Sequence, residues 1–191
     1  MIRQFEVKET SILGVKEILA FHADDNRGGF TKDYSKELFE QNGIQHDLQE
    51  VFYAKNHTGV IRGLHFQRVK QQTKLVRCIV GHVWDVVVDL RKDSPTFKKW
   101  LGIDLIDQEY NSVLVPPGCA HGYITLKPSI VSYQCNERFY GEFDDGIQWN
   151  DKDISIDWPL NLIGGAENVI LSNKDKNLQT FQHFMAVYGG F

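Results

Sequence analysis

Apolar and polar residues alternate in short runs along most of the chain, and this pattern favours strands over helices. The runs are rich in β-branched and aromatic residues and end at glycine, proline or polar clusters, as strands in sheets do. Seven runs fit this description, at residues 51–54, 74–80, 82–90, 100–106, 112–115, 122–126 and 130–135. Gly81 separates two of them, and Lys127-Pro128 predicts a turn between two others. Seven closely spaced strands predict an all-β sandwich or barrel.

The run at 82–90 is apolar on both sides. Strand alternation places Trp84, Val86, Val88 and Leu90 on one face and Val83, Asp85, Val87 and Asp89 on the other. We therefore expect a central strand, with its outer face covered in part by a dimer contact. Asp85 is the exception, because a carboxylate in mid-strand is either solvated, a hydrogen-bonded structural acid or held against a cation. The nearest candidate cations are Arg62, His65 and Lys74.

Helices are predicted only near the two ends. Tyr34, Leu38 and Phe39 recur at helical spacing before a stop at Asn42-Gly43, and a turn-rich loop is predicted for residues 24–30. A second helix is predicted at 177–187, with Leu178, Phe181, Phe184 and Met185 on one face. We expect one domain over residues 1–191, made of an N-terminal arm (about 1–50), a barrel core (about 51–140) and C-terminal loops with a helix (about 141–191).

Composition narrows the class of protein without identifying a function. The net charge of -4, with both signs interspersed, predicts neither nucleic-acid binding nor a polybasic membrane anchor. No apolar stretch has the length of a membrane span, and the start of the chain lacks a signal-like core, so a cytoplasmic location is expected. Three cysteines without metal-type spacing predict reduced thiols. Cys119 could be a nucleophile, but a buried, inert side chain is the plainer interpretation.

Two histidines mark the candidate chemistry. Pro116-Pro117-Gly118 interrupts an apolar run, and His121 follows at the start of the next strand, which predicts an imidazole at the rim of the β-structure. His65 lies in a second strand-like segment, 59–67. Together the segments resemble the paired motifs of the cupin barrel, in which metal-binding members carry a second histidine and a glutamate where this chain has Gln67 and Lys74. A cation repels a divalent metal, and two histidines are too few ligands, so no metal is expected.

Seven ordered motifs sharpen this resemblance. The chain resembles the dTDP-4-dehydrorhamnose 3,5-epimerase family from about residue 24 to about residue 175, through Arg62-Gly-Leu-His65-Phe-Gln, Lys74-Leu-Val-Arg77, residues 86–97, Pro116-Pro-Gly-Cys-Ala-His121-Gly, Tyr133-Gln-Cys, residues 146–151 and residues 156–160. The resemblance implies a cupin-type jelly roll with short peripheral helices that dimerises through its sheets. It also implies a cofactor-independent epimerase acting on a nucleotide-linked 4-keto-6-deoxyhexose.

The chemistry of a 4-ketosugar asks for three kinds of side chain. A hydrogen beside a ketone is removed only when a base accepts it and the enolate oxygen is stabilised, and inversion needs an acid on the opposite face. By resemblance, His65 is the base, Lys74 stabilises the enolate and Tyr133 is the acid. A carboxylate should orient His65. The family places it in a Leu-Ser-x-x-Asp motif, which gives Asp175, with Asp85 as the alternative.

Substrate contacts are implied in the same way. The resemblance assigns them to Arg27, Phe30, Asn56, Arg62, His121 and Phe139, with arginines suited to a diphosphate. The chain departs from the family pattern at Lys32, Ala54 and Arg138, all at substrate contacts, so the reaction type is better determined than the substrate. A mono-epimerase, an epimerase of another nucleotide sugar and a non-catalytic sugar-binding cupin stay open as alternatives, and a metal-dependent oxygenase is opposed by Gln67 and Lys74.

Overall fold

The structure, a computed structural model, describes residues 2–191 and is built mainly from antiparallel strands. The strands are β1 (Ile2–Arg3), β2 (Glu6–Glu9), β3 (Lys16–Leu19), β4 (Phe21–Asp25), β5 (Gly28–Lys32), β6 (Glu50–Asn56), β7 (Ile61–Gln67), β8 (Lys74–Asp89), β9 (Trp100–Ile106), β10 (Asn111–Val115), β11 (Cys119–Cys135) and β12 (Asp144–Gly146). The helices are α1 (Lys36–Gln41), α2 (Asn173–Lys176) and α3 (Phe181–Tyr188), with short 3-10 helices at Asp107–Glu109, Leu160–Ile163 and Ala166–Asn168. The predicted all-β class is confirmed.

Nine strands form one sheet that folds over into two facing layers. The first layer contains β9, residues 82–89 of β8, residues 119–125 of β11, β7 and β12. The second layer contains β6, residues 129–135 of β11, residues 74–80 of β8, β10, β3 and β2. This is the jelly-roll architecture predicted from the sequence. The predicted N-terminal arm therefore includes two strands of the second layer, while β1, β4 and β5 form a small separate sheet.

Strands β8 and β11 pass from one layer to the other, and they bend together. Gly81 sits at the bend of β8 with φ of +88°, and a Cβ there would lie 2.1 Å from the carbonyl oxygen of Pro128. The register of β11 shifts around Lys127 at the same point. The prediction that Gly81 and Lys127-Pro128 separate strands was wrong: both lie inside continuous strands, where glycine allows one backbone to approach the other.

Apolar side chains fill the space between the layers and also cover the outer face of the first layer. Val76, Val83, Val87, Val113 and Tyr123 belong to the core between the layers. Val86, Val88 and Leu90 face the other way and pack with residues of the C-terminal segment, including Trp158, Phe181 and Phe184. Both faces of the run at 82–90 are therefore buried, as its apolar pattern predicted. The expectation that a dimer contact covers part of the outer face was wrong, because the C-terminal segment of the same chain covers it.

Both helices predicted near the ends of the chain are confirmed, whereas one predicted loop is part of a hairpin. Phe39 of α1 is buried, and Gly43 follows the helix with φ of +71°. Helix α3 begins later than predicted, because Thr180 caps it by accepting a hydrogen bond from the His183 amide at 3.2 Å. Residues 24–30 are not a free loop but the tip of the β4–β5 hairpin. No helix within residues 2–191 has the length and apolar character needed to cross a bilayer.

Candidate active site

A cavity of about 480 Å³ lies between the layers, and His65, Lys74, Tyr133, Arg62 and Phe139, half of the predicted site residues, line it. Strand β7 of the first layer contributes Arg62, His65 and Gln67, whereas Lys74 and Tyr133 come from the second layer. The other lining residues are Glu50, Phe52, Ala54, Phe66, Gln72, Phe139, Asp144 and Lys174. His65 and Tyr133 therefore reach one cavity from opposite layers, although they are 68 positions apart in the chain.

Asp175 is the carboxylate that holds His65. The ring nitrogen Nε2 of His65 lies 2.5 Å from Oδ1 of Asp175, which is buried. Ser172 fixes the other carboxylate oxygen by donating a hydrogen bond to Oδ2 at 2.9 Å, and its hydroxyl also accepts from the Asp175 amide at 3.0 Å. Because the carboxylate accepts a hydrogen bond from Nε2–H, the Nδ1 atom of His65 carries the lone pair.

Burial and the hydrogen bond shift the pKa values of His65 and Asp175 in opposite directions. Burial lowers the pKa of His65, and the hydrogen bond that it donates to the Asp175 carboxylate only partly opposes that effect. Burial raises the pKa of Asp175, but the hydrogen bonds from His65 and Ser172 outweigh it and hold the pKa below its usual value. At neutral pH the pair is therefore a neutral imidazole next to a carboxylate, the state from which the imidazole can accept a proton.

Lys74 begins β8 and lies opposite Cys135 of β11. Burial lowers the pKa of its ammonium group, and the nearby Cys135 and Asp144 side chains oppose the shift. The partly buried amine of Lys74 lines the same cavity as His65 and provides a donor for a developing anion. Within residues 2–191, no group of three or more His, Cys, Asp and Glu side chains is arranged to hold a metal ion. The expected absence of a metal requirement stays a prediction.

Tyr133 is held between two rings. It stacks on Phe52, with ring centroids 4.7 Å apart, and meets the edge of His121, with centroids 5.9 Å apart. Burial raises the pKa of Tyr133 well above its ordinary value, and the neighbouring Tyr123 and Asp85 add to the shift. The phenol therefore keeps its proton at neutral pH, as a proton donor must.

His121 and Asp85 form a second pair that the sequence did not predict. Nε2 of His121 lies 2.8 Å from Oδ2 of Asp85, and both side chains are almost fully buried. The prediction that His121 lies at the rim was wrong, because β11 begins at Cys119 and carries His121 into the interior. The hydrogen bond of Asp85 goes to His121, whereas Asp175 bonds His65.

Four of the six predicted substrate contacts adjoin the cavity or its network. Arg62 and Phe139 line the cavity. Nε of Arg62 donates to Oδ1 of the buried Asn56 at 2.8 Å, and His121 packs against Tyr133. Arg27 and Phe30 instead lie on the β4–β5 hairpin, beside a separate hollow of about 400 Å³. A single chain does not bring these two residues to the main cavity.

Gln67 was predicted only as a departure from a metal site, yet the structure gives it a positive role. Its Nε2 donates to the carbonyls of Lys70 at 2.6 Å and Arg138 at 3.2 Å, and its Oε1 accepts from the Tyr140 amide at 2.6 Å. These bonds hold the segment that carries Phe139 against the cavity. Sequence reasoning also missed Lys174 and Asp144, which form an ion pair beside the cavity. The position of Lys174 next to Asp175 was the available signal.

The cysteines give no support to nucleophilic catalysis. Cys78, Cys119 and Cys135 are all buried and free. Burial raises the pKa of the Cys119 thiol to about 12, so that its thiolate is scarce at neutral pH. Burial likewise raises the pKa of Cys78 to about 12 and that of Cys135 to about 11. The plainer interpretation of Cys119 as a buried, inert side chain agrees with this geometry.

Comparisons with known proteins identify the family of the chain. Residues 9–183 match the profile of the dTDP-4-dehydrorhamnose 3,5-epimerase family. The dTDP-4-dehydrorhamnose 3,5-epimerase of Methanothermobacter thermautotrophicus is 41% identical over 175 residues, which cover 91% of this chain and 93% of that protein.

Two solved structures show the same fold. The dTDP-4-dehydrorhamnose 3,5-epimerase of Bacillus anthracis, with TDP and PPi bound, is 40% identical, with a TM-score of 0.87 and coverage of 93% of this chain and 100% of that one. The dTDP-6-deoxy-D-glucose-3,5-epimerase of Legionella pneumophila, in complex with dTDP-4-keto-L-rhamnose, is 31% identical, with a TM-score of 0.90 and coverage of 96% of each chain.

Proposed function

Because the chain belongs to the dTDP-4-dehydrorhamnose 3,5-epimerase family, we propose that it converts dTDP-4-dehydro-6-deoxyglucose to dTDP-4-dehydrorhamnose. The reaction inverts C3 and C5, the two carbons that flank the ketone. Each inversion removes a proton from one face of the sugar and returns a proton to the other. One observation carries the proposal: a histidine–carboxylate pair and a protonated tyrosine reach the same cavity from opposite layers.

In the proposed mechanism, His65 takes the proton through Nδ1, and Asp175 stabilises the imidazolium that forms. Negative charge then moves to the ketone oxygen. Lys74 donates to this oxygen, a contribution of about 10²–10³ in rate for single oxyanion donors in other enzymes. Tyr133 delivers its proton from the opposite face, which inverts the carbon. Because both C3 and C5 neighbour the same ketone, one set of residues serves both after the ring reorients.

The nucleotide end of the substrate needs a cationic side chain for the diphosphate and an aromatic side chain for the base. We assign Arg62 to the diphosphate, because a guanidinium pairs with phosphate oxygens in bidentate fashion. Asn56 holds Arg62 in place at 2.8 Å. Phe139 is about half exposed beside the cavity, which suits a ring that stacks on the nucleotide base.

The proposed reaction needs no cofactor, since removing and returning a proton leaves the oxidation state of the sugar unchanged. The partner is a nucleotide-linked ketosugar rather than a nucleic acid. The cytoplasmic location favoured by composition stays a prediction.

We also propose that the chain acts as a homodimer. Val51, Tyr53, Ile79 and Val80 leave an apolar patch exposed on β6 and β8 of the second layer, and such patches are typical of interfaces. The exposed Arg27 and Phe30 on the hairpin are then available to the cavity of the other chain.

Light scattering during size exclusion tests the dimer. The native chain should elute at twice the mass of one chain, and Ile79→Lys should shift it towards the monomer because the charge would be desolvated at the contact. A monomeric native chain at assay concentration would contradict the proposed dimer.

Deuterium incorporation tests the reaction itself. Incubated with dTDP-4-dehydro-6-deoxyglucose in deuterated water, the protein should introduce deuterium at both C3 and C5, as read by proton NMR. His65→Asn should abolish incorporation at both carbons, because no proton can leave.

Each other outcome selects one alternative. Label at a single carbon would indicate a mono-epimerase. Exchange only with a GDP- or CDP-linked 4-ketosugar would keep the mechanism and change the substrate. Binding without exchange for every nucleotide-linked 4-ketosugar would favour a sugar-binding cupin without catalytic activity.

A further inference from the structure

Residues 137–140, which carry Phe139 to the cavity, are held by side chains rather than by a strand or a helix. The side chains belong to Glu50, Gln67 and Gln72. Gln72 donates from Nε2 to the carbonyl of residue 137 at 2.9 Å, and Gln67 donates to the carbonyl of residue 138 at 3.2 Å. Oε2 of Glu50 accepts from the amide of residue 139 at 2.9 Å, and Oε1 of Gln67 accepts from that of residue 140 at 2.6 Å. Four consecutive residues are thus bonded through their backbone, and we call the three side chains the clamp.

The clamp ties this segment to both layers of the fold. Glu50 begins β6 of the second layer, Gln67 ends β7 of the first layer, and Gln72 lies between β7 and β8. All three side chains line the cavity. Gln67 and Gln72 are buried, so each amide depends on its bonds to the segment instead of on water. The backbone of Phe139 is therefore fixed, although its ring stays exposed beside the cavity.

Glu50 is the member of the clamp that an anionic ligand would disfavour. Strand alternation puts Glu50, Phe52 and Ala54 on the cavity side of β6. A carboxylate in a cavity that takes a diphosphate repels the ligand, and a neutral side chain at the same position would not. What Glu50 provides is an acceptor: among residues 2–191 its carboxylate is the one partner of the Phe139 amide. A charged acceptor makes a stronger hydrogen bond than a neutral one.

We propose that Glu50, Gln67 and Gln72 position Phe139 for the nucleotide base by holding residues 137–140 in the binding conformation before the substrate arrives. The inference rests on the proposed function, in which Phe139 stacks on the base, and it concerns nucleotide affinity rather than proton transfer. A free segment would lose conformational entropy when the ligand ordered it, and that loss would weaken binding. A segment that is ordered in advance avoids the loss. The clamp is a set of positioning residues, since it acts on the substrate through Phe139.

Calorimetric titration with TDP tests the inference by comparing Glu50→Ala with Glu50→Gln. Both variants remove the negative charge, but only the glutamine oxygen can still accept from the Phe139 amide. We expect Glu50→Ala to bind TDP about fivefold more weakly than Glu50→Gln, the effect of one lost hydrogen bond. The two variants should differ by the same factor in KM for the dTDP-linked ketosugar and should share one kcat. Equal affinities for TDP would overturn the inference. Glu142→Ala, at an exposed carboxylate of the same loop, is the control and should bind TDP as the native protein does.

A double-mutant cycle with Phe139→Ala separates positioning from a general change in the cavity. Phe139→Ala should weaken TDP binding by about tenfold, within the range of base–aromatic stacking. In that background Glu50→Ala and Glu50→Gln should bind TDP equally, because the ring that Glu50 positions is gone. A fivefold difference that persists without the ring would overturn the inference.

Gln72→Met gives the same test should Glu50→Ala fail to fold. It removes the donor to the carbonyl of residue 137, and it should weaken TDP binding only where Phe139 is present. Equal weakening with and without the ring would overturn the inference while deuterium exchange at C3 and C5 left the proposed function standing. A native protein that neither bound TDP nor exchanged deuterium would instead remove the proposed function itself.

Discussion

The side chain of Asp175 is fixed at both carboxylate oxygens, by His65 on one and Ser172 on the other. An orienting group held this firmly keeps the imidazole in one tautomer and in one direction. Sequence separation hides the pair, because its members are 110 positions apart. Only the family motif, and no local pattern, pointed to Asp175. By contrast, nothing in the sequence distinguished His121 from a histidine at the rim.

Asp175→Asn should reduce kcat by about 10²–10⁴, because an amide does not stabilise the imidazolium. It should also move the acidic limb of the pH–rate profile to lower pH. The sign follows from the pair: Asp175 raises the pKa of His65 against the effect of burial, so its removal lets that pKa fall further. Asp93→Asn, at an exposed carboxylate, is the control. A limb that stays in place or moves to higher pH would contradict the assignment of Asp175 to His65.

At the scale of elements, the bend shared by β8 and β11 depends on a residue without a side chain. Gly81→Ala should lower the free energy of unfolding by more than the roughly 1–2 kcal/mol that a positive φ costs an L-residue. The excess arises because the new Cβ would meet the Pro128 carbonyl, and one backbone must then move.

Gly43→Ala is the matched control for that bend, and urea unfolding is the measurement. Gly43 also has a positive φ, of +71°, but no atom lies within 4 Å of its would-be Cβ. The Gly43→Ala variant therefore measures only the loss of unfolding free energy that a positive φ causes. Equal losses in the two variants would show that the contact with Pro128 contributes nothing.

Alternation predicted the strands well where one or both faces are buried. It missed β2, whose side chains are largely exposed, and β3, where only Ile18 is buried. It also missed the hairpin of β4 and β5, whose tip carries glycine and charged residues. Glycine and proline were interpreted as strand ends at Gly81 and Pro128, yet there they allow two long strands to bend. The bend could not be predicted from the sequence because it depends on contact between two segments almost fifty residues apart. The hydrogen bonds of Gln67 could not be predicted for the same reason, since they reach Arg138 and Tyr140.

At the scale of the whole molecule, one buried histidine links stability to pH. His46 is almost fully buried, its Nε2 lies 3.1 Å from the Gln134 carbonyl, and its Nδ1 has no hydrogen-bond partner among residues 2–191. Burial lowers its pKa below the ordinary value. Between the folded and unfolded pKa values the unfolded chain binds more protons, so stability falls as pH drops below about 6.5.

We therefore expect the melting temperature to decrease from about pH 7 to about pH 5 and the decrease to be smaller in His46→Gln. Glutamine can keep the donor to Gln134 and cannot take up a proton. His57→Gln, at an exposed histidine, is the control and should follow the native protein. Parallel curves for the native protein and His46→Gln would show that another group sets the pH dependence.

Strands β8 and β11 belong to both layers, and this shared membership limits how a ligand reaches the space between them. The layers cannot separate as independent sheets, because the same two paired strands run through both of them. The walls that carry Lys74 and Tyr133 are thus stiff. We therefore expect the sugar nucleotide to enter and leave past residues 136–143, which carry Phe139 and lie outside these two strands. Substrate binding and product release would then involve the edge of the site, while Lys74 and Tyr133 stay on stiff paired strands.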